Sequence, residues 1–162
     1  MRIDHSEPDS LSVGRKLGFG LGDYGLNLYW QTLSLFVLFF YTDVLGLPAS
    51  TAGLIYMVAS IWDGLTDPVM GALAERTRTR WGRYRPYLLI ASVPLALSFC
   101  FLFFMPGLDG FGLTAVVMAG HLLFRTCYTV LSIPFTSLTA RITSSARERS
   151  QLAGFRMVFA SM

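Results

Sequence analysis

Charged residues are scarce in this sequence of 162 residues. Asp, Glu, Lys and Arg together make up 14% of it, whereas a soluble domain carries about 25%. Apolar residues make up 53% of the sequence, and they occur in long uninterrupted blocks that give a mean hydropathy of +0.52. This pattern excludes an ordinary soluble domain and predicts an all-α polytopic membrane protein.

Cysteine and histidine are also rare, and their rarity excludes several kinds of site. Cys100 and Cys127 both fall in apolar blocks, and their spacing fits neither a disulfide framework nor a zinc site, so we interpret them as packing residues. His5 and His121 lack nucleophile or metal partners. We therefore expect no catalytic residue and no enzyme activity. We likewise expect no cofactor, no structural metal and no nucleic-acid partner.

The apolar blocks predict four complete membrane spans and the start of a fifth. Each complete block can cross a hydrocarbon core of ~30 Å at a rise of ~1.5 Å per residue. We expect residues 1–16 to form a cytoplasmic tail and residues 17–162 to form part of a six-helix bundle. The predicted spans cover residues 17–41, 51–74, 87–105, 113–140 and, too short to cross a membrane, 150–162.

The basic residues are unevenly distributed, which predicts the orientation in the membrane. The loops at 42–50 and 106–112 contain no Lys or Arg. All thirteen basic residues lie elsewhere, in the tail, in the loops at 76–85 and 141–149, and at Arg125 and Arg156. Because basic residues of short loops stay in the cytoplasm, we expect a cell (inner) membrane protein whose N-terminus and basic loops are cytoplasmic.

Two acids interrupt the second span. Asp63 and Asp67 are four residues apart, so they share one face of a helix. A carboxylate at mid-bilayer costs roughly 2.5–3.5 kcal/mol, so the pair should face a protein interior or a watery cavity. We favour a cation-coupling site over a contact with Arg125 that only holds helices together. Pro68 frees a carbonyl one turn earlier, which either ligates the cation or accompanies a kink.

Polar residues recur at helical spacing in the first and fourth spans as well. In the first span Asp23, Asn27 and Gln31 are four residues apart, which favours a cavity wall. The fourth span carries a second polar face, formed by His121, Arg125, Thr129, Ser132 and Thr136. Arg125 falls near mid-membrane and must be paired or hydrated. Its partner is either a protein acid, which we favour, or an anionic group on the substrate.

A loop rich in arginine follows the second span. Its arginines are expected mainly to set the topology and to contact anionic lipid. Glu75 is a candidate for a gating ion pair with one of them. The predicted gating and topology residues are Glu75, Arg76, Arg80, Arg83 and Arg85.

Several motifs along nearly the whole chain carry a resemblance to a known family. They are GDYGLN at 22–27, FYTDVLGL at 40–47, IWDGLTDPVMG at 61–71, RWGRYRP at 80–86, YTVLSIPF at 128–135, RERSQL at 147–152 and FR at 155–156. In order and spacing they resemble the N-terminal part of the glycoside–pentoside–hexuronide:cation symporters. These are the melibiose-carrier-like branch of the major facilitator superfamily.

The resemblance implies a carrier of twelve helices in two six-helix halves. Such a carrier imports a sugar or glycoside together with a cation by alternating access, with both bound near mid-membrane. The first and fourth helices would line the sugar path. The implied partners are the sugar or glycoside, the lipid bilayer and the missing C-terminal half of the same protein.

Site residues follow from the resemblance by position. Asp63 and Asp67 match the cation-site carboxylates of the family, and Thr129 matches a threonine near the ion. Asn27 and Ser132 stand where the melibiose carrier has acids. Both H⁺ and Na⁺ stay open as the coupling ion, because a metal ion needs about six oxygen ligands whereas a proton needs one acid. The candidate substrate-binding residues are Asp23, Asn27, Gln31, Arg125, Ser132 and Arg156.

Two other functions stay open. A carrier of related fold could move a lipid or an organic anion, and Arg125, which stands where the melibiose carrier has a small residue, would then be the anion partner. A protein of the same fold could also be a sensor or scaffold that transports nothing. Uptake of labelled glycosides that is abolished by Asp63→Asn would separate transport from a sensor or scaffold role.

Overall fold

The computed structural model describes residues 13–77, 80 and 84–142, and this part of the chain contains helices and no strand. The helices are α1 (Val13–Phe39), a π-helical turn (Phe40–Val44), α2 (Ala49–Arg76), α3 (Arg85–Leu102) and α4 (Gly110–Ile142). The described chain is therefore all-α, as the apolar blocks predict.

The helices extend beyond some predicted spans and stop short of others. α1 begins at Val13 rather than at residue 17, and α3 ends at Leu102 rather than at residue 105. The difference arises because a helix continues while its backbone hydrogen bonds continue, whatever the polarity of the side chains. The predicted fifth span at 150–162 and the first twelve residues of the predicted tail lie outside the described residues.

Glycine lies in the turn between the π-helical turn and α2 and in the turn between α3 and α4. Gly46 has a φ of 69° after the π-helical turn, and Gly107 has a φ of 62° between α3 and α4. Both values lie in the left-handed region, where a side chain carrying a Cβ is strained. The first turn is also closed by a hydrogen bond of 2.9 Å from the Leu47 amide to the Tyr41 carbonyl.

Residues 29–142 form one compact unit in which α4 packs against both α2 and α3. Phe99 of α3 anchors an aromatic layer, with its ring centroid 4.9 Å from that of Tyr29 and 5.7 Å from that of Phe124. The buried side chains recur every three or four residues, as expected for helices with one face turned inward. They include Leu33 and Val37 on α1, Tyr41 in the π-helical turn, Ala52, Ile55 and Ala59 on α2, and Ala91, Leu95, Ser98 and Leu102 on α3.

Residues 13–28 of α1 do not belong to this compact unit and are described by themselves. Within this stretch the Asn27 amide donates to the Asp23 carbonyl at 2.9 Å and to the Asp23 carboxylate at 3.3 Å. These two residues of the predicted cavity wall are therefore joined one helical turn apart.

Apolar side chains cover much of the outer surface, and Ile90 and Phe111 are among the most exposed. Of the described helices, α4 over Gly110–Leu138 has the length and apolar composition to cross a membrane, and Pro86–Leu102 is a shorter apolar helix. α1 and α2 are 27 and 28 residues long, but polar residues lower their hydropathy. The polar face of a membrane helix can point into the protein, so mean hydropathy alone does not decide whether α1 and α2 cross the membrane. The four membrane spans therefore stay a prediction.

Candidate functional site

Two polar contacts join α2 to α4 in the middle of the helices. Arg125 Nη1 donates a hydrogen bond to Asp63 Oδ2, and the two residues form an ion pair. Thr129 Oγ1 donates to Asp67 Oδ1 at 2.9 Å. Asp63 and Asp67 are four residues apart on α2, and Arg125 and Thr129 are four residues apart on α4. The two contacts therefore lie one helical turn apart along the helices. We call these four residues the α2–α4 polar cluster.

Arg125 is held by three further side chains besides Asp63. Its guanidinium carbon lies 4.7 Å from the ring centroid of Trp30 and 5.3 Å from that of Tyr56. Its Nε donates to His121 Nε2 at 3.3 Å. Arg125 is only 2% exposed, and contacts between a desolvated cation and an aromatic ring are stronger than exposed ones. The environment therefore suits a buried guanidinium and restricts its position.

His121 connects this arginine to the π-helical turn that follows α1. It is fully buried, and its Nδ1 lies 3.0 Å from the hydroxyl of Tyr41, which is fully buried too. Because His121 Nε2 accepts a hydrogen from Arg125, a neutral ring carries its own proton on Nδ1 and donates it to the Tyr41 oxygen. A continuous hydrogen-bonded chain thus runs from Tyr41 through His121 and Arg125 to Asp63.

The ion pair uses only part of the hydrogen-bonding capacity of its members. Asp63 Oδ1 and Arg125 Nη2 are both buried and have no hydrogen-bond partner among the described residues. The contact is therefore a single charge-assisted hydrogen bond rather than the two-pronged fork that an arginine can form with a carboxylate.

The structure separates the roles of two acids that the sequence places on one face. Asp63 is paired with a cation, whereas Asp67 accepts a hydrogen bond from a neutral hydroxyl. Arg125 therefore has the kind of partner that we favoured, a protein acid. We also considered, as the alternative to cation coupling, that the acids only hold the helices together by contact with Arg125. Such a contact is present, but it involves only Asp63.

Helical spacing in the sequence places His121 on the same polar face as Arg125, but it did not predict the hydrogen bonds of His121 or the aromatic contacts of Arg125. We interpreted His121 as a residue without a nucleophile or metal partner, and the described residues contain no group of metal-ligating side chains. Its role as a hydrogen-bond partner escaped notice, although its position four residues before Arg125 was the available signal. Tyr41 and Trp30 carried no such signal, because their contacts are far away in sequence.

The predicted substrate-binding residues are not gathered into one place by the described structure. Gln31 is exposed on α1 and Ser132 is half-buried on α4. Asp23 and Asn27 bond to each other within the first part of α1. Arg156 lies outside the described residues. Sugar binding by these residues stays a prediction.

The predicted gating loop is described only in part. Glu75 and Arg76 are exposed at the end of α2, and Arg80 is exposed beyond it. Arg83 and the side chain of Arg85 lie outside the described part. Among the side chains that the structure describes, Glu75 has no ion-pair partner, so the gating ion pair stays a prediction.

A bundle of helices with apolar outer faces and an ion pair at mid-helix is typical of membrane proteins in which charged residues within the membrane serve the function. Comparison with known families agrees with this class. Residues 18–162 match the family described as MFS/sugar transport protein, and the chain belongs to this family of the major facilitator superfamily.

Relatives in this family are transporters. The chain is 36% identical to the inner membrane symporter YicJ of Escherichia coli strain K12, over 93% of this chain and 33% of the relative. It is 30% identical to the isoprimeverose transporter of Lactiplantibacillus pentosus, over 91% of this chain and 31% of the relative. It is also 30% identical to the glucuronide carrier protein homolog of Escherichia coli strain K12, over 90% and 32%. The chain therefore spans about a third of the length of these relatives.

Proposed function

We propose that this chain is the N-terminal part of a symporter that imports a sugar or glycoside across the cell membrane together with a cation. The names of the relatives, a symporter, an isoprimeverose transporter and a glucuronide carrier homolog, support this substrate class. Transport proceeds by alternating access, in which two six-helix halves rock around a site between them. The N-terminus faces the cytoplasm, as the distribution of basic residues supports.

The observation that carries this proposal is the α2–α4 polar cluster. Its two carboxylates and one guanidinium leave one negative charge in the bundle, on the side of Asp67 and Thr129. Asp67 is half-buried, and a net charge within a membrane bundle is unfavourable until a cation or proton balances it. Because the cluster joins two helices, occupation of the site changes the contact between them, and this change links ion binding to movement of the bundle. The coupling ion is H⁺ or Na⁺.

The remaining predicted residues take their proposed roles around this cluster. We assign Asp23, Asn27, Gln31, Ser132 and Arg156 to contacts with the sugar. Arg125 is charge-balanced by Asp63, so the argument for an organic-anion or lipid carrier, which needed a free cation, loses its support. A sensor or scaffold has no evident use for an acid pair that must be neutralised in the membrane.

The experiment is uptake of labelled glycosides by the full-length protein in cells or proteoliposomes, with and without an imposed cation gradient. We expect Asp67→Asn to abolish accumulation above equilibrium but to retain slow equilibration, because the charge that the ion balances is gone. Asp63→Asn should lose accumulation too, because Arg125 is then left without its carboxylate.

The matched control is Asp109→Asn, which removes the same charge from an exposed residue of the loop before α4. This variant should accumulate substrate like the unaltered protein. Accumulation that survives in both Asp63→Asn and Asp67→Asn would contradict the coupling role. Absence of uptake of any glycoside by the unaltered protein would contradict the transport function itself.

A further inference from the structure

We infer that Arg125 acts as a tethered cation, whose guanidinium takes the place of a metal cation on Asp63. Neither Na⁺ nor Li⁺ then binds this carboxylate, and transport does not depend on either ion. The inference rests on the proposed symport function and names its coupling ion. Of the two candidate ions, H⁺ and Na⁺, only H⁺ is compatible with a guanidinium already bound to Asp63.

The first step is the contact itself. Arg125 Nη1 hydrogen-bonds directly to Asp63 Oδ2, so a positive charge already lies on the oxygen that a metal ion would use. A metal ion bound to Asp63 Oδ1 would have to lie beside the guanidinium, and the two like charges would repel each other at short range.

The second step is that Arg125 cannot readily leave. Its guanidinium lies over the rings of Trp30 and Tyr56, and its Nε is bonded to His121. At 2% exposure the side chain is almost completely removed from solvent in the described unit. A surface arginine could swing away to admit a metal ion, whereas this one is held in place by contacts that do not involve Asp63.

The third step is the count of charges and ligands. Asp63 and Arg125 cancel each other, so Asp67 is the acid of the cluster whose charge has to be balanced. Within the described residues the cluster offers it one hydroxyl partner, Thr129. A hard metal ion takes about six oxygen ligands. One carboxylate and one hydroxyl fall well short of that number, whereas a proton needs a single acid.

The test measures cation binding by the melting temperature of the purified full-length protein in NaCl, LiCl and choline chloride at equal ionic strength. A metal ion that binds only the folded state raises Tm. We expect no difference between the three salts for the unaltered protein. In Arg125→Gln, which removes the tethered charge, we expect Na⁺ or Li⁺ to raise Tm by about 2 °C or more.

Two further variants make the result specific. Asp63→Asn/Arg125→Gln lacks both charges and should not respond to Na⁺ or Li⁺. Arg125→Lys keeps the positive charge and should not respond either. A rise in the Tm of the unaltered protein with Na⁺, or an Arg125→Gln protein that is indifferent to both ions, would overturn the inference.

A second measurement decides the question if Arg125→Gln does not fold. Substrate accumulation by the unaltered protein, driven by a pH gradient, should be the same in Na⁺-free choline medium as in Na⁺ medium. A requirement for Na⁺ would overturn the inference while leaving symport intact. Absence of uptake in every medium would instead contradict the proposed function. The two results can be told apart, because Tm reports ion binding and does not depend on transport.

Discussion

Arg125 shows how a residue that is unfavourable in isolation becomes part of an ordered site. An arginine in the middle of a membrane helix is tolerated only with partners, and here an acid, an imidazole and two aromatic rings surround it. A buried ion pair often adds little net stability, because desolvation of both charges offsets their attraction. The main effect of these contacts is therefore to fix the position of the positive charge rather than to add stability.

The hydrogen bond from Arg125 to His121 provides a prediction at this scale. His121→Phe keeps a ring in the site but removes the acceptor, which leaves a charged buried donor without its partner. We expect a loss of stability of about 1–3 kcal/mol, seen as a lower Tm of the full-length protein. Tyr41→Phe removes only a neutral hydroxyl at 3.0 Å from the same ring, so its Tm should fall less.

A rescue variant distinguishes the hydrogen bond from simple packing. The side-chain carbonyl of Gln can accept the hydrogen from Arg125 Nε, so His121→Gln should recover part of the Tm lost in His121→Phe. If Phe is tolerated as well as Gln at this position, the hydrogen bond does not hold the arginine.

At the scale of the helices, α4 organises the described unit, because it packs against both α2 and α3. Its residues Arg125 and Thr129 contact α2, whereas Gly120 lies where α3 approaches closely. A Cβ built on Gly120 would lie 3.1 Å from two ring atoms of Phe101. Small residues at helix contacts let membrane helices come together at short range. One helix thus combines a polar contact and a close apolar contact on different neighbours.

Gly120→Leu should therefore destabilise the bundle. Four added carbon atoms would have to displace the ring of Phe101 or push α3 away from α4, and overpacking of this kind costs about 1–3 kcal/mol. The measurement is the Tm and the expression level of the full-length variant.

Gly53→Leu is the matched control on α2, since a Cβ there meets nothing within 4 Å in the described chain. It should express normally and melt close to the unaltered protein. Equal Tm values for the two variants would show that the contact between Gly120 and Phe101 is not tight.

At the scale of the whole molecule, the chain is about a third of a carrier of its family by length. Alternating access needs two halves that close around a common site, so under the proposed function the chain contributes one wall of that site. Its orientation in the membrane would then determine the side from which ions and sugars arrive. The basic residues predict that the 76–85 loop is cytoplasmic and the loop before α4 is extracytoplasmic.

Single-cysteine labelling tests this orientation. After Cys100 and Cys127 are replaced by Ala, Asp109→Cys and Arg80→Cys are introduced one at a time into the full-length protein, at two positions that are exposed. A maleimide that does not cross membranes should label Asp109→Cys in intact spheroplasts. Arg80→Cys should be labelled only after the membrane is permeabilised. Reversed labelling of the two positions would place the N-terminus outside the cytoplasm.

The sequence by itself determined the features that depend on local periodicity and composition. The four long helices follow the apolar blocks to within a few residues, because an apolar block of this length can satisfy its backbone only as a helix in lipid. The shared face of Asp63 and Asp67 follows from a spacing of four residues. The motifs between residues 22 and 156 were specific enough to predict the family to which the chain belongs.

Tertiary structure alone decided which of these residues meet. Whether Arg125 reaches Asp63 or Asp67 depends on how far α4 slides and rotates against α2, and one helical turn of about 5.4 Å separates the two outcomes. Apolar periodicity is nearly unchanged by such a shift, so it does not specify the register. Tyr41 and His121 are 80 residues apart, and their contact exists only because packing of the helices brings the π-helical turn after α1 to α4.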